Sequence, residues 1–418
     1  MRAAVGEAWR LSATAALAQG VAGEELLASC RARIAACDAD VRAWVRLAEE
    51  AVPAASGPLA GIPVGVKDVI DTADLPTECG SAVHRGRRPS EDAACVTLLR
   101  RAGATVLGKT VTTELASFAP GPTRNPHALG HTPGGSSSGS AAAVAAGMVP
   151  VALGTQTAAS IVRPASFCGV VGYSATRGEL SMRGVTPLAP GLDTLGVFAR
   201  EVADAVLVRA ALLGVAPADV RAPETPRLAV WSASPDAEPS MRAAVEAAAE
   251  ALAGAGAQLV WPALDEVVAE LTGLHLQIMG FEIARTLAWE DDRRELLSPE
   301  LVRQIDHGLG VGVAEVHAAR ARVEELRARL DVLLDGCDAV LAPGATGPAP
   351  EGLGSTGSPV QSRPWHVLGL PAVALPAGAT ADRLPLGVQL VGRRFGDDEL
   401  LALAAWAERA LPEPVRPW

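Results

Sequence analysis

Apolar residues along this chain fall into two kinds of pattern that take turns, and the alternation predicts an α/β protein. Leu26, Leu27, Cys30, Ile34 and Cys37 recur at three- and four-residue steps, which predicts a helix over about residues 23–37 with one buried face. Residues 61–70, Gly-Ile-Pro-Val-Gly-Val-Lys-Asp-Val-Ile, form an apolar, β-branched run that reads as a strand covered on both faces. Ser90, with Glu91 and Asp92 behind it, has the chemistry of a helix start. That helix would carry Val96, Leu98 and Leu99 and lead into a strand at Thr105-Val-Leu107. The second half repeats the alternation. A strand is expected at Leu228-Ala-Val-Trp231, a helix at 240–253, and another at 314–334 marked by Val316, Val323, Leu326, Leu330 and Leu333. Apolar runs at 338–342, 371–376 and 386–391 predict strands, and 397–411 a last helix. Residues 120–140 and 343–364 are rich in turn-forming residues and read as loops. Residues 140–148 form an Ala-rich helix with so little side-chain bulk that other backbone can approach it closely. No internal repeat or linker interrupts the chain, so residues 1–418 are read as one domain.

Composition narrows the function. The chain has 418 residues, is 49% hydrophobic, and carries a formal net charge of −11. It is long enough for two or three domains or one large α/β unit, with a generous core. The acidic balance argues against a nucleic-acid partner, and the apolar content argues against disorder. Aromatics are 3% of residues, so a core of small, closely packed side chains is expected. The six cysteines (Cys30, Cys37, Cys79, Cys95, Cys168 and Cys337) are scattered without a CxxC pair, which argues against a disulfide framework or structural zinc. Arg2, Glu7 and Arg10 interrupt the N-terminus, so no secretory signal is read there. The apolar stretch 141–154 is too short to span a bilayer and is broken by Pro150. A soluble, cytoplasmic protein with no membrane partner is expected.

Two polar segments stand apart. Pro133-Gly-Gly-Ser136-Ser137-Ser138-Gly-Ser140 places four serines within five positions, and 154–164 reads Gly-Thr-Gln-Thr-Ala-Ala-Ser-Ile-Val-Arg-Pro. Either could be an ordinary flexible loop. Neither has the GK[ST] of a phosphate loop, and Ser160 lacks the glycines of a GxSxG elbow. A serine nucleophile needs a base. None of the seven histidines sits in a triad context, but Lys67 lies inside the buried-looking strand, where burial favours the neutral amine. The alternative is an ion pair between Lys67 and Asp68, Asp71 or Asp74.

Lys67 within GVKD, the PGGSSSGS run and GTQTAASIVRP, in that order, resemble the amidase signature family. The spacing agrees: 69 residues from Lys67 to Ser136 and 24 from Ser136 to Ser160. The likeness is strongest over about 61–200 and continues in the strand and helix segments of 338–411. In pattern it is nearest to the small malonamidase and carboxybiuret-hydrolase-like branch. The resemblance implies one large domain with a mixed, mostly parallel central sheet covered by helices on both faces. It implies Ser160 as nucleophile, Ser136 in a cis peptide as bridge, and Lys67 as base. Backbone N–H groups of Thr157, Ala158, Ala159 and Ser160 would hold the oxyanion. Arg163, Thr155, Gln156 and Ser137 would contact substrate, with Arg163 either a fork for a substrate carboxylate or a structural partner of a buried carboxylate.

Two departures stand out. Ala158-Ala159 replaces the usual Gly-Gly, which requires negative φ there or strain. Gln156 stands where an aspartate is common. His131 is expected to be a solvated loop residue and Cys168 a core thiol. The pocket is expected to be built by loops within 270–312 and 343–366. The reaction implied is hydrolysis of a small linear amide bearing a carboxylate or ureido group, without a metal or other cofactor, by a homodimer. The alternatives are an amidotransferase A-type subunit that supplies ammonia to a partner, and an inactive member kept as a binding protein.

Overall fold

The computed structural model describes residues 6–232, 234 and 236–418, so Arg2 lies outside the described residues. Eleven strands are described: β1 (Trp44–Leu47), β2 (Pro63–Lys67), β3 (Thr105–Thr110), β4 (Val151–Gln156), β5 (Val171–Ser174), β6 (Thr194–Ala199), β7 (Arg227–Val230), β8 (Gln258–Val260), β9 (Ala339–Pro343), β10 (Ala372–Ala379) and β11 (Pro385–Val391). They form one sheet in the order β1-β3-β2-β4-β6-β5-β10-β11-β9-β7-β8. Every residue of β2, β3, β4, β5, β6, β9 and β11 is buried, because helices cover both faces. This is the single α/β domain with a mixed sheet that the chain's pattern and resemblance implied.

The balance of strand directions differs from the expectation. Parallel pairing is confined to β3-β2-β4 at one end and β9-β7-β8 at the other. The six remaining pairings are antiparallel, including all those between β4 and β9. Continuous apolar runs report burial on two faces, not direction, and antiparallel strands inside a covered sheet look the same.

Element boundaries also moved. The first long helix is Glu24–Val41. The strand around Lys67 ends at that residue, where the Ile70 N–H turns back to the Lys67 carbonyl. The helix after β2 begins at Ala94, not at Ser90; Asp92 instead accepts from the Ala73 N–H and pairs with Arg100. The Ala-rich helix is Ser138–Ala145, beginning inside the serine run. The segment 270–312 is mostly helical: Asp265–Thr286 and Pro299–Leu309 supply most of it. Asp265–Thr286 is apolar and long enough to cross a membrane, with 56% of its most apolar window buried inside the protein.

The close approach expected of the alanine-rich residues 140–148 is found instead just ahead of them, at Gly139 in the first turn of the helix. The Gly139 N–H donates to the Val111 carbonyl at 2.9 Å, and a Cβ on Gly139 would lie 2.3 Å from the Ala43 carbonyl oxygen and 2.3 Å from the Val111 nitrogen. The helix thus rests on the end of β3, and Ser140 bonds the Leu153 carbonyl of β4 and Thr110 of β3. Gly139→Ala is expected to destabilise the protein by about 1–3 kcal/mol or more, because backbone must move to admit the methyl; equilibrium urea unfolding checks this.

Candidate active site

β2 lies between β3 and β4 and runs parallel to both, so the carboxyl ends of these strands open on one side of the sheet. Ligand sites of open α/β sheets form there. Lys67 is the last residue of β2, Thr155 and Gln156 end β4, and the 157–160 turn follows directly. The serine run enters from the other direction, and the Gly135–Ser136 peptide is cis. Lys67 Nζ lies 2.7 Å from Ser136 Oγ and 2.7 Å from Thr155 Oγ1. Lys67 is wholly buried and Ser136 is 1% exposed.

The ion-pair alternative for Lys67 does not hold, because each aspartate considered for it is taken by another cation. Asp68 pairs with buried Lys109 at 3.2 Å, Asp71 with Arg87 at 2.6 Å and Asp74 with Arg100 at 2.7 Å. Among the described residues Lys67 itself has no ion-pair partner. Burial therefore dominates and pushes its amine down to about 7. Asp193 opposes this through its charge, yet its oxygens are engaged by the Thr157 hydroxyl at 2.5 Å and by the N–H groups of Leu188 and Ala189 at 2.8 and 3.0 Å. An amine poised near neutrality can take a proton from a touching hydroxyl, which a salt-bridged lysine cannot.

The turn after β4 has unusual hydrogen bonding. The N–H groups of Ile161 and Val162 both donate to Gln156 Oε1, at 3.0 and 3.2 Å. The Gln156 amide nitrogen donates to Ser174 and to His366 Nδ1. Gln156 thus anchors the start of the Val162–Cys168 helix. The next N–H groups back, those of Ser160, Ala159, Ala158 and Thr157, have no acceptor among the described residues. Buried unpaired donors are rare, and successive ones form a concave site for negative charge. His275 Nε2–H donates to the Thr157 carbonyl at 2.8 Å. In a trans peptide the N–H points opposite to the C=O, so this bond turns the Ala158 N–H away from His275. Neither Ala158 nor Ala159 has positive φ, so the alanines are accommodated without strain.

Ser160 is 8% exposed and its hydroxyl is hydrogen-bonded to no described residue, Ser136 included. It lines a cavity of about 20 Å³ with Thr157, Ala158, Ala159, Arg163, Phe118 and Met279, among others. Phe118 and Met279 also wall a cavity of about 360 Å³ that continues outward. The segments expected to build the pocket do so, but 270–312 contributes helix faces (Leu276, Met279, Gly280, Ile283) rather than loops.

Of the four residues expected to contact substrate, only Arg163 reaches a cavity. Thr155 supports Lys67, Gln156 holds the turn, and Ser137 Oγ donates to the Thr155 carbonyl at 3.2 Å. All three are buried in the support of the site. Arg163 pairs with no carboxylate of the described residues. Its guanidinium donates to the carbonyls of Gly135 at 2.6 Å and Gly357 at 2.8 Å, and to Thr356 at 3.1 Å. It therefore clamps the loop that carries Ser136. His131 is half-buried rather than a free loop residue, and its backbone forms an isolated antiparallel β-bridge with Glu351. Cys168 is a core thiol near the Pro133 carbonyl. Sequence reasoning missed Asp193, His275, Lys109 and Arg363. Each is an isolated polar residue without a motif, and only its burial gives it meaning.

An amine near neutrality in contact with an alcohol, beside a turn of free N–H groups, is equipment for acyl transfer. On a covered mixed sheet of this order, the arrangement defines an amide-cleaving hydrolase. The chain belongs to the amidase family, whose model matches residues 25–401. It is 32% identical to the A-type subunit of the glutamyl-tRNA(Gln) amidotransferase of Anaeromyxobacter sp. (strain K), over 96% of this chain and 95% of that one. A crystal structure of an amidase superposes with a TM-score of 0.87 at 29% identity, covering 98% of this chain and 100% of the other. The 6-aminohexanoate cyclic dimer hydrolase, in complex with its substrate, superposes with a TM-score of 0.84 at 28% identity, covering 97% and 98%.

Lys67 makes stability depend on pH in a stated direction. Its amine is lowered from 10.5 to about 7, so between those values the unfolded chain binds a proton that the folded chain does not. Stability then rises with pH across that window, by about 1.4 kcal/mol per unit from this group. Lys67→Met is expected to remove that slope, read as the difference between wild-type and variant unfolding free energies from pH 7 to 10.

Proposed function

We propose that this protein hydrolyses the C–N bond of a small linear amide bearing a carboxylate or ureido group, through an acyl-enzyme on Ser160. The observation that carries the reading is the buried Lys67 amine, held by no carboxylate of the described residues and touching Ser136 at 2.7 Å. Once the Ser160 hydroxyl turns to Ser136, a bond not made in this structure, neutral Lys67 accepts the Ser136 proton while Ser136 accepts that of Ser160, and Ser160 Oγ attacks the amide carbonyl. The N–H groups of the 157–160 turn take the negative charge that develops on the carbonyl oxygen. The protonated Lys67 returns its proton through Ser136 to the leaving nitrogen, so ammonia or an amine departs. Water, deprotonated by the same relay, then releases the acid. The surroundings of Ser160 are rich in positive charge: Arg163 lines its cavity and Arg363 the adjoining one, and neither pairs with a carboxylate of the described residues. This supports an anionic substrate.

The identity to the A-type subunit of a glutamyl-tRNA(Gln) amidotransferase favours a second reading, ammonia supply from glutamine to a partner. Glutamine hydrolysis that appears only when partner subunits are added would select it. Hydrolysis of simple amides by the chain alone selects the first.

Because the base must be neutral, kcat/KM is expected to rise about tenfold per pH unit below pH 7 and to level off above it. A profile flat from pH 5 to 9 would remove Lys67 from the role. Ser160→Ala is expected to lower turnover by about 10⁴-fold or more and to abolish covalent labelling by a fluorophosphonate. Labelling that persists in that variant would place the nucleophile elsewhere.

A further inference from the structure

Two buried guanidiniums stand near the cavities, and the protein uses them differently. Arg163 donates to three oxygens of the surrounding loops. Arg363, the first residue of the short Arg363–Val367 helix, is 7% exposed, yet it hydrogen-bonds and ion-pairs with no described residue. Its Nε is buried without an acceptor. Burial pushes the group down to about 10, and no carboxylate opposes the push. The ionisable groups that feel the charge of Arg363 are Arg163 and the His275 imidazole, which burial and then Arg363 hold in the neutral form, and neither is an anion. A buried cation without a counter-charge is unfavourable, and while the Nε–H is buried with no acceptor, the terminal nitrogens have no partner among the described residues and keep some exposure. A methionine or leucine would fill the same place at lower cost to folding.

The position explains why an arginine is kept. Arg363 walls the 360 Å³ cavity together with Phe118, Leu276, Met279 and Ile283. Phe118 and Met279 also wall the small cavity at Ser160, so the two spaces adjoin. The carboxylate on the same wall, Glu300, is held by Arg303 at 2.9 Å. No carboxylate of the described residues pairs with Arg363, so its charge is free to meet that of a ligand.

We propose that Arg363 binds the carboxylate of the substrate in the outer cavity, while the amide at the other end of the same molecule reaches Ser160. The planar fork of the guanidinium suits a carboxylate held by two parallel hydrogen bonds. Phe118 and Met279 lie between the two ends and face apolar carbons. The substrate class is therefore an acid whose carboxylate and amide are separated by an apolar spacer. This inference rests on the amide-hydrolase reading and names the residue that gives it its acid specificity.

The test uses full-length protein carrying Ser160→Ala, so that amides are bound and not turned over. Succinamate, glutaramate and adipamate are titrated calorimetrically against butanamide, pentanamide and hexanamide, their neutral counterparts. Adding Arg363→Met is expected to weaken binding of the tightest acid by about tenfold or more and that of the neutral amides by less than about twofold. Arg363→Lys is expected to restore part of the loss. Without ligand, Arg363→Met is expected to melt at the parent temperature or above, since it removes an unpaired buried charge. Equal losses for acid and neutral amides, no preference for any acid in the parent, or a lowered melting temperature would each overturn the assignment and make Arg363 structural. Failure of the underlying reading shows separately, as absence of Ser160-dependent fluorophosphonate labelling in the wild type. Labelling that persists beside a missing acid preference sinks the Arg363 assignment alone.

Discussion

The site depends on an amine shut away from solvent and kept apart from the carboxylates around it. Lys67 ends a strand buried on both faces, and burial lowers the affinity of its nitrogen for a proton. That effect would vanish if one of the nearby aspartates turned toward it, since an opposite charge within a few ångströms restores the protonated form. The fold prevents this by pairing. Lys109 on the neighbouring strand takes Asp68, and Arg87 and Arg100 take Asp71 and Asp74. Asp193 is occupied in a different way, by a hydroxyl and two N–H groups. The charge network around Lys67 is best understood as a device that keeps one lone pair available.

Small residues serve the same end. The Ser138–Ala145 helix can sit at the ends of β3 and β4 because Gly139 and Ser140 face them. Its contact holds the serine loop against the end of β2, where Ser136 meets Lys67. Arg163 closes the other side by holding the Gly135 carbonyl. The 157–160 turn is then left with donors that the described residues do not use, between a glutamine that occupies the next two N–H groups and a histidine that fixes the preceding carbonyl. Alanine in place of glycine costs little in such a turn, because neither position needs a positive φ and both residues keep the N–H.

The two arginines show how the same chemistry divides into support and recognition. A buried guanidinium whose donors end on backbone carbonyls is part of the scaffold. One with nothing to bond to, in the wall of a cavity, awaits a ligand. Charge type alone does not separate these cases, and neither does nearness to Ser160 along the chain: Arg163 is three residues away and Arg363 more than two hundred.

Local geometry was written in the sequence. Periodicity placed six of the eleven described strands, and helices such as Glu24–Val41, Pro239–Gly254 and Val313–Leu333, to within a few residues, because burial on one face or two leaves a repeat that needs no partner to be read; β1, β4, β5, β6, β8 and the Asp265–Thr286 helix were not read from it. Three short motifs in order, at 69 and 24 residues apart, singled out Lys67, Ser136 and Ser160, while the close helix contact falls at Gly139, just ahead of the alanine-rich stretch that was expected to make it. Pairing was not legible. Whether β5 and β10 run parallel, which cation takes Asp68, what Gln156 bonds, and which arginine is left without a partner are all decided by distances between residues remote in the chain. Tertiary structure settled these because electrostatic and hydrogen-bond energies depend on separation in space and on exclusion of water, and neither quantity is a property of any stretch of sequence by itself.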